Sequence, residues 1–185
     1  MDHIDKSVKK GVLMKNLVFI NGTMGVGKTA TSKQLQKLLP KCVFLDGDWC
    51  WDASPFAVTN ETKNMVLNNI GYLLNSFLSC SEYENIIFCW VMHEQVIIDD
   101  VLSLLNTQDY SLHKYSIICS ETALISKISK DIDNGVRTED VIAPSIQRLQ
   151  NYLQMDTQKI DVSDITAQQA ARIIYGRLYT TEYAN

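Results

Sequence analysis

The 185-residue chain has no C-x-x-C pair, no Lys/Arg-rich stripe and only three prolines. Nor does it contain an uninterrupted apolar run of about eighteen residues, the length a membrane helix needs. Each absence excludes something. Without closely spaced cysteines there is no sign of structural zinc or of a redox dithiol, and Cys42, Cys89 and Cys119 each fall in apolar, strand-like runs where a thiol acts as a small hydrophobe. A formal net charge of -4, with basic residues clustered only at Lys6, Lys9 and Lys10, argues against a nucleic-acid partner. Met1 to Lys15 is polar and lacks an apolar core, so neither secretion nor membrane insertion is expected, and a reduced, cytoplasmic compartment is. Arginine is scarce, with Arg137, Arg148, Arg172 and Arg177 the complete set.

What is present begins with Gly22-Thr23-Met24-Gly25-Val26-Gly27-Lys28-Thr29, a G-x-x-x-x-G-K-T run followed by Ala30. It stands between a buried-strand pattern, Leu17 to Asn21, and a helical pattern opening at Lys28, the context in which this motif cradles phosphate. Glycines let main-chain N–H groups converge on phosphate oxygens, the helix N-terminus adds partial positive charge, Lys28 reaches the terminal phosphates, and Thr29 offers a hydroxyl to Mg²⁺.

At 46% hydrophobic composition the chain has enough apolar residues for one substantial core. We expect a single domain over 15–185 preceded by a disordered extension over 1–14. Strand patterns recur at Leu17–Asn21, Cys42–Leu45, Ile86–Met92, Tyr115–Cys119 and Lys159–Val162. Helical patterns fill the gaps, so the fold class is α/β with a parallel sheet. The first helix carries Leu35, Leu38 and Leu39 at core spacing; the longest, Asn60 to Ser79, carries Val66, Ile70, Leu73, Leu74 and Phe77 on one face. Further helices are expected near Val96–Leu105, Glu121–Asp131 and from Pro144 to Gln154. The last opens on the capping-box pattern Thr166-x-x-Gln169.

Three features bear on the fate of the phosphate. No guanine-reading Asn-Lys-x-Asp or Thr-Lys-x-Asp occurs, and strand three lacks the carboxylate of ATPase Walker-B strands. Strand two delivers Asp46-Gly47-Asp48 at a carboxyl end, the edge where ligands bind in open α/β sheets. On an extended segment the two carboxylates point apart, one to a metal and the other to the proton of an acceptor hydroxyl; we assign Asp48 as base and Asp46 to the metal, with the exchange left open. A plain Asp-Gly turn is the alternative. Arg137 and Arg148 bracket a polar break in helical patterning, read as a lid near 132–143 that closes over ATP, excludes water and brings guanidinium charge to the phosphoryl group.

With these motifs and the terminal strand Ile160 to Ser163, the chain resembles the small P-loop kinases. That family includes shikimate, gluconate and adenylylsulfate kinases, nucleoside and nucleotide kinases, chloramphenicol phosphotransferase and tunicamycin-resistance-like proteins. The resemblance implies a P-loop NTPase fold in three layers, a five-stranded parallel sheet in the order 2-3-1-4-5, and ATP·Mg²⁺ as donor. It also implies an adenine pocket near Ile160–Thr166 with Asp161 or Ser163 at its rim.

The acceptor is less sharply indicated. Trp49, Trp51 and Trp90 all fall at the expected carboxyl ends of strands two and three, followed by His93 and Glu94, with Glu94 a reserve base. Aromatic walls suit a planar or amphipathic molecule. Between Cys42 and His113 the sole fixed positive charge is Lys63, which points to an uncharged hydroxyl compound such as a nucleoside, sugar or antibiotic-like metabolite. A nucleotide kinase and a non-catalytic nucleotide switch are the alternatives, and a monomer or homodimer is expected.

Overall fold

The computed structural model describes residues 14–180, so the expected extension, Met14 excepted, and its lysine cluster lie outside the described residues. Five strands form one parallel sheet: β1 Lys15–Asn21, β2 Cys42–Asp46, β3 Asn85–Cys89, β4 Tyr110–Ile118 and β5 Gln158–Asp161, in the order β2-β3-β1-β4-β5. The helices are α1 Lys28–Leu38, α2 Asn60–Ser79, α3 Gln95–Ser103, α4 Glu121–Asp133, α5 Ile142–Gln154 and α6 Ala167–Thr180. Short 3₁₀ turns occupy Gly47–Cys50 and Glu139–Val141.

Alternation along β1 splits the core in two. Val18 and Ile20 pack with Leu35 of α1, Leu124 and Ile128 of α4, and Ala170, Ala171 and Ile174 of α6. Leu17 and Phe19 face the other way, onto Val66, Ile70 and Leu74 of α2, Ile98 and Val101 of α3, and Tyr152 of α5. Three layers result, as expected for a parallel sheet buried on both faces.

Some boundaries and faces differ from expectation. β3 stops at Cys89 rather than Met92 because β2 ends opposite it at Asp46, and beyond it only the Trp90 N–H still reaches β1, donating to the Ile20 carbonyl at 3.3 Å. β4 starts five residues earlier than expected, paired to β1 from Lys15↔Tyr110, its alternation obscured by Ser111, His113 and Lys114. Leu38 and Met65 are exposed, so the apolar faces of α1 and α2 are narrower than the patterns suggested. The capping box of α6 is formed, with Thr166 N–H donating to Gln169 Oε1 and Gln169 N–H to Thr166 Oγ1. Among the described residues no helix is long and apolar enough to cross a membrane.

Candidate active site

Successive strands are added on opposite sides of β1, so the crevice of the sheet opens at the carboxyl end of β1. The glycine-rich loop stands there. Gly22 and Gly25 are held close: a Cβ on Gly22 would lie 2.6 Å from the Ile117 carbonyl oxygen, and one on Gly25, at φ 77°, 2.5 Å from Ile128 Cγ1. Gly27 precedes α1 in a left-handed conformation, and α1 begins with no side-chain cap and no acid in its first turn. Its first N–H groups and the positive end of its dipole are therefore left open to an anion. Val26 is buried in the core, so its part in the loop is structural on the side-chain side.

Lys28 is buried, its Nζ donating to the Thr23 carbonyl at 3.0 Å. Burial pushes its pKa down, opposed by the nearby Cys89, Asp48 and Asp46. Thr23 Oγ1 in turn donates to the Ser145 carbonyl at 2.8 Å, tying the loop to the first turn of α5.

Asp46 and Thr29 meet as a pair. The Thr29 hydroxyl donates to Asp46 Oδ2 at 2.7 Å, and Asp46 Oδ1 accepts the Asp48 N–H at 3.2 Å. Cys89 stands at the end of β3 in place of a carboxylate, its Sγ 3.4 Å from Asp46 Oδ2 and 3.9 Å from Thr29 Oγ1. Burial pushes that thiol up to about 12, so it is a neutral donor to Asp46. A hydroxyl and a carboxylate are hard oxygen ligands of the kind Mg²⁺ takes. Among the described residues no group of three or more His, Cys, Asp or Glu could hold a metal by itself.

The expectation of an extended Asp46-Gly47-Asp48 is corrected. Asp46 ends β2 and caps a 3₁₀ turn over Gly47–Cys50, so Asp48 lies on that turn. Gly47 is needed there because Trp90 lies against it, with the indole Cγ 2.4 Å from where a Cβ would stand. The Asp48 carboxyl is pushed upward, chiefly by desolvation and then by Asp46, while Lys28, Trp90 and Arg137 pull the other way. It is thus a more basic carboxylate than usual, lying electrostatically between Lys28 and a second cavity.

Two cavities flank this point. The first, of about 450 Å³, runs from Gly25 through Thr31 to Val162, Ile165 and Thr166 and is lined by Arg137. Arg137 Nε donates to Asp131 Oδ2 at 3.0 Å. Lys127 and Lys130 of α4 also line it, and sequence reasoning missed both; the signal was two lysines one turn apart on the helix following β4. Asp161 and Ser163 are corrected: they line a neighbouring hollow with Ser120 and Gln147. There Asp161 Oδ1 accepts from the Ser163 N–H and hydroxyl, and Ser163 Oγ from the Ser120 N–H. Within the segment 160–166, Val162, Ile165 and Thr166 are the members that line the cavity beside the glycine-rich loop.

The second cavity, of about 630 Å³, brings together Asp48, Trp51, Trp90, His93 and Glu94 from the expected acceptor set; Met24, expected on the nucleotide side with the rest of the glycine-rich loop, is corrected, since it lines this cavity instead. Phe56 and Val58 join them, with Phe56 and Trp51 ring centroids 4.9 Å apart. Trp49 does not. It is 59% exposed, stacks edge-on against Phe44 at 5.3 Å, and lines a different hollow beside Ala30, Lys33 and Lys37 of α1. Arg148 is corrected too: it lines the second cavity rather than the first, so Lys63 is not its sole fixed positive charge.

Comparison with known proteins follows the same lines. A family described as AAA domain matches residues 18–156. No curated protein sequence matches the chain. Among solved structures, the tunicamycin resistance protein of Deinococcus radiodurans superposes with a TM-score of 0.65 at 18% identity, covering 89% of this chain and 96% of its own. A sugar kinase from Janibacter sp. HTCC2649 gives 0.69 at 13%, covering 89% and 94%. The APS kinase of Mycobacterium tuberculosis, solved with AMPPNP and APS, gives 0.61 at 10%, covering 89% and 98%. At such identities the likeness is one of fold.

Proposed function

The chain belongs to the AAA domain family and has the fold of the small P-loop kinases, and from that premise we propose that it transfers the γ-phosphoryl group of ATP to a hydroxyl of a small molecule. The observation that carries this reading is the station of Asp48. One basic carboxylate lies within electrostatic reach of Lys28 on the donor side and lines the aromatic cavity on the other. A protein that only binds or hydrolyses nucleotide has no use for a second, aromatic cavity lined by that carboxylate.

In this mechanism the loop amides and Lys28 bind the β- and γ-phosphates, and Val162, Ile165 and Thr166 border the space for the base. Thr29 and Asp46 would hold Mg²⁺, which supplies charge neutralisation on the phosphates. Asp48 accepts the proton as the acceptor oxygen bonds to phosphorus, the bond from phosphorus to the bridging oxygen breaks, and ADP leaves with that electron pair. Arg137, released from Asp131, brings guanidinium charge to the transferring group as the 132–143 segment closes.

Incubation with ATP, Mg²⁺ and a panel of hydroxyl compounds is the test. Acceptor-dependent ADP release is expected, abolished in Lys28→Ala and reduced by about 10²–10⁴ in kcat in Asp48→Asn with ATP binding retained. ATP held unchanged across a broad panel would overturn the proposal in favour of a nucleotide switch.

A further inference from the structure

Phosphoryl transfer to a plain hydroxyl requires a base and a shaped wall, yet the cavity beside Asp48 carries more. Arg148, half-buried on α5, lines it and makes no ion pair among the described residues. Lys63 of α2 adds a second cation, also without an ion pair. None of the three acids on the same walls forms an ion pair with either cation: Glu94 lies beside His93, Asp100 is exposed on α3, and Asp48 serves the reaction centre, while Lys63 is itself exposed and Arg148 is the more buried of the two cations. His93, also on the wall, has a buried Nδ1 with no hydrogen-bond partner.

A guanidinium partly withdrawn from water without a carboxylate is costly unless a ligand completes it, and its fork matches a carboxylate or phosphate better than a neutral group. Trp51, Phe56 and Trp90 supply flat apolar faces against which a ring packs. We infer that the acceptor is a ring-bearing hydroxyl compound carrying a carboxylate or phosphate, its anion held by Arg148 and Lys63 and its ring between the aromatic walls. This deepens the phosphotransfer reading and rests on it for the hydroxyl alone.

The test uses no ATP, so its failure is separable from that of phosphotransfer. In a Trp49→Phe background the remaining tryptophans, Trp51 and Trp90, both line the cavity, and their emission reports occupancy. The probes are 4-hydroxybenzoate, phenyl phosphate, 4-hydroxybenzamide and tyramine, matched in ring and differing in charge. We expect at least one anion to bind about tenfold or more tighter than the amide at neutral pH, tyramine to bind weakest, and the preference to fall with added salt. The tighter anion identifies the group. Arg148→Gln should bring anion and amide within about threefold of each other while an ATP analogue still binds, and Lys63→Gln should remove part of the preference. Equal binding of amide and anions, tightest binding by tyramine, no binding by any probe, or a preference that survives Arg148→Gln overturns the inference. If Arg148→Gln does not fold, Lys63→Gln and the wild-type ratios decide it.

Discussion

Gly47 and Asp48 show how much one position in this site depends on its neighbour. Trp90 occupies the place where a side chain at 47 would stand, so Gly47→Ala must displace the indole that walls the cavity and sits beside the Asp48 carboxyl. We expect a loss of about 1–3 kcal/mol in denaturant unfolding, with a shifted tryptophan emission maximum. An unchanged emission spectrum would show that Trp90 is elsewhere. Asp48 itself gives a pH signature. Its carboxyl is raised in the folded protein, so between the unfolded value and the folded one the native state binds more protons, and its contribution to stability falls as pH rises through that window. Activity needs the ionised form, so the acid limb of kcat should lie above the usual carboxylate range, and Asp48→Asn should melt no lower than wild type at neutral pH while losing turnover. A variant that loses both would mark Asp48 as structural. The sequence disclosed Asp46 and Asp48 but misread Trp49 for a definite reason. In a 3₁₀ turn residues three apart share a side, which puts Asp48 with Trp51 and leaves Trp49 facing α1; an extended reading of the segment hides that period.

At the scale of elements, α4, the following loop and α5 divide the arginines between two tasks. Arg137 precedes α5 and lines the phosphate cavity, whereas Arg148, on α5, lines the other, with the loop pinned between them where Thr23 bonds the Ser145 carbonyl. Sequence showed two arginines around a polar break, but not that the helix carrying the second bridges the two cores, with Ile142, Ile146 and Leu149 against the α4 side and Tyr152 in the other. Strand ends were equally hard to place, because Trp90, Val91 and Met92 are as apolar as a strand yet have no β2 partner, and only Trp90 keeps a backbone bond to β1. The ion pair of Arg137 with Asp131 is the resting position of the proposed lid. Arg137→Ala should lower kcat by about 10²–10³ with a smaller change in KM for ATP, and Arg137→Lys should recover little, since a point charge does not reproduce a guanidinium fork. Equal loss in kcat/KM and in ATP affinity, with kcat intact, would place Arg137 in ground-state binding and remove the lid from the mechanism.

Over the whole molecule the α/β class was legible from alternating strand and helix patterns, and the strand order came from the resemblance to small P-loop kinases, with which the interior places of the apolar β1 and β3 runs agree. The sequence already joined Thr29 and Asp46 as candidate metal ligands; what stayed hidden was the pairing of Asp46 with Cys89 across the sheet, and that Arg148 lines the same cavity as Asp48. That pairing links ligand binding to global stability, because the site joins α1, β2 and β3, and those elements hold one core. Ligand that binds the native state alone raises stability by RT ln(1 + [L]/Kd), about 2.7 kcal/mol at a hundredfold excess over Kd. For a domain of this size that corresponds to roughly 5–11 °C in melting temperature. A non-hydrolysable ATP analogue with Mg²⁺ should therefore raise the midpoint by several degrees. If Thr29 and Asp46 hold the metal, Asp46→Asn should respond to the analogue alone about as wild type does, yet gain little when Mg²⁺ is added. Cys89→Ala, which removes only a neutral donor to Asp46, should keep most of the Mg²⁺ increment. A full increment in Asp46→Asn would move the cation off the β2 carboxylate, and loss of the increment in Cys89→Ala would make the thiol part of the metal site.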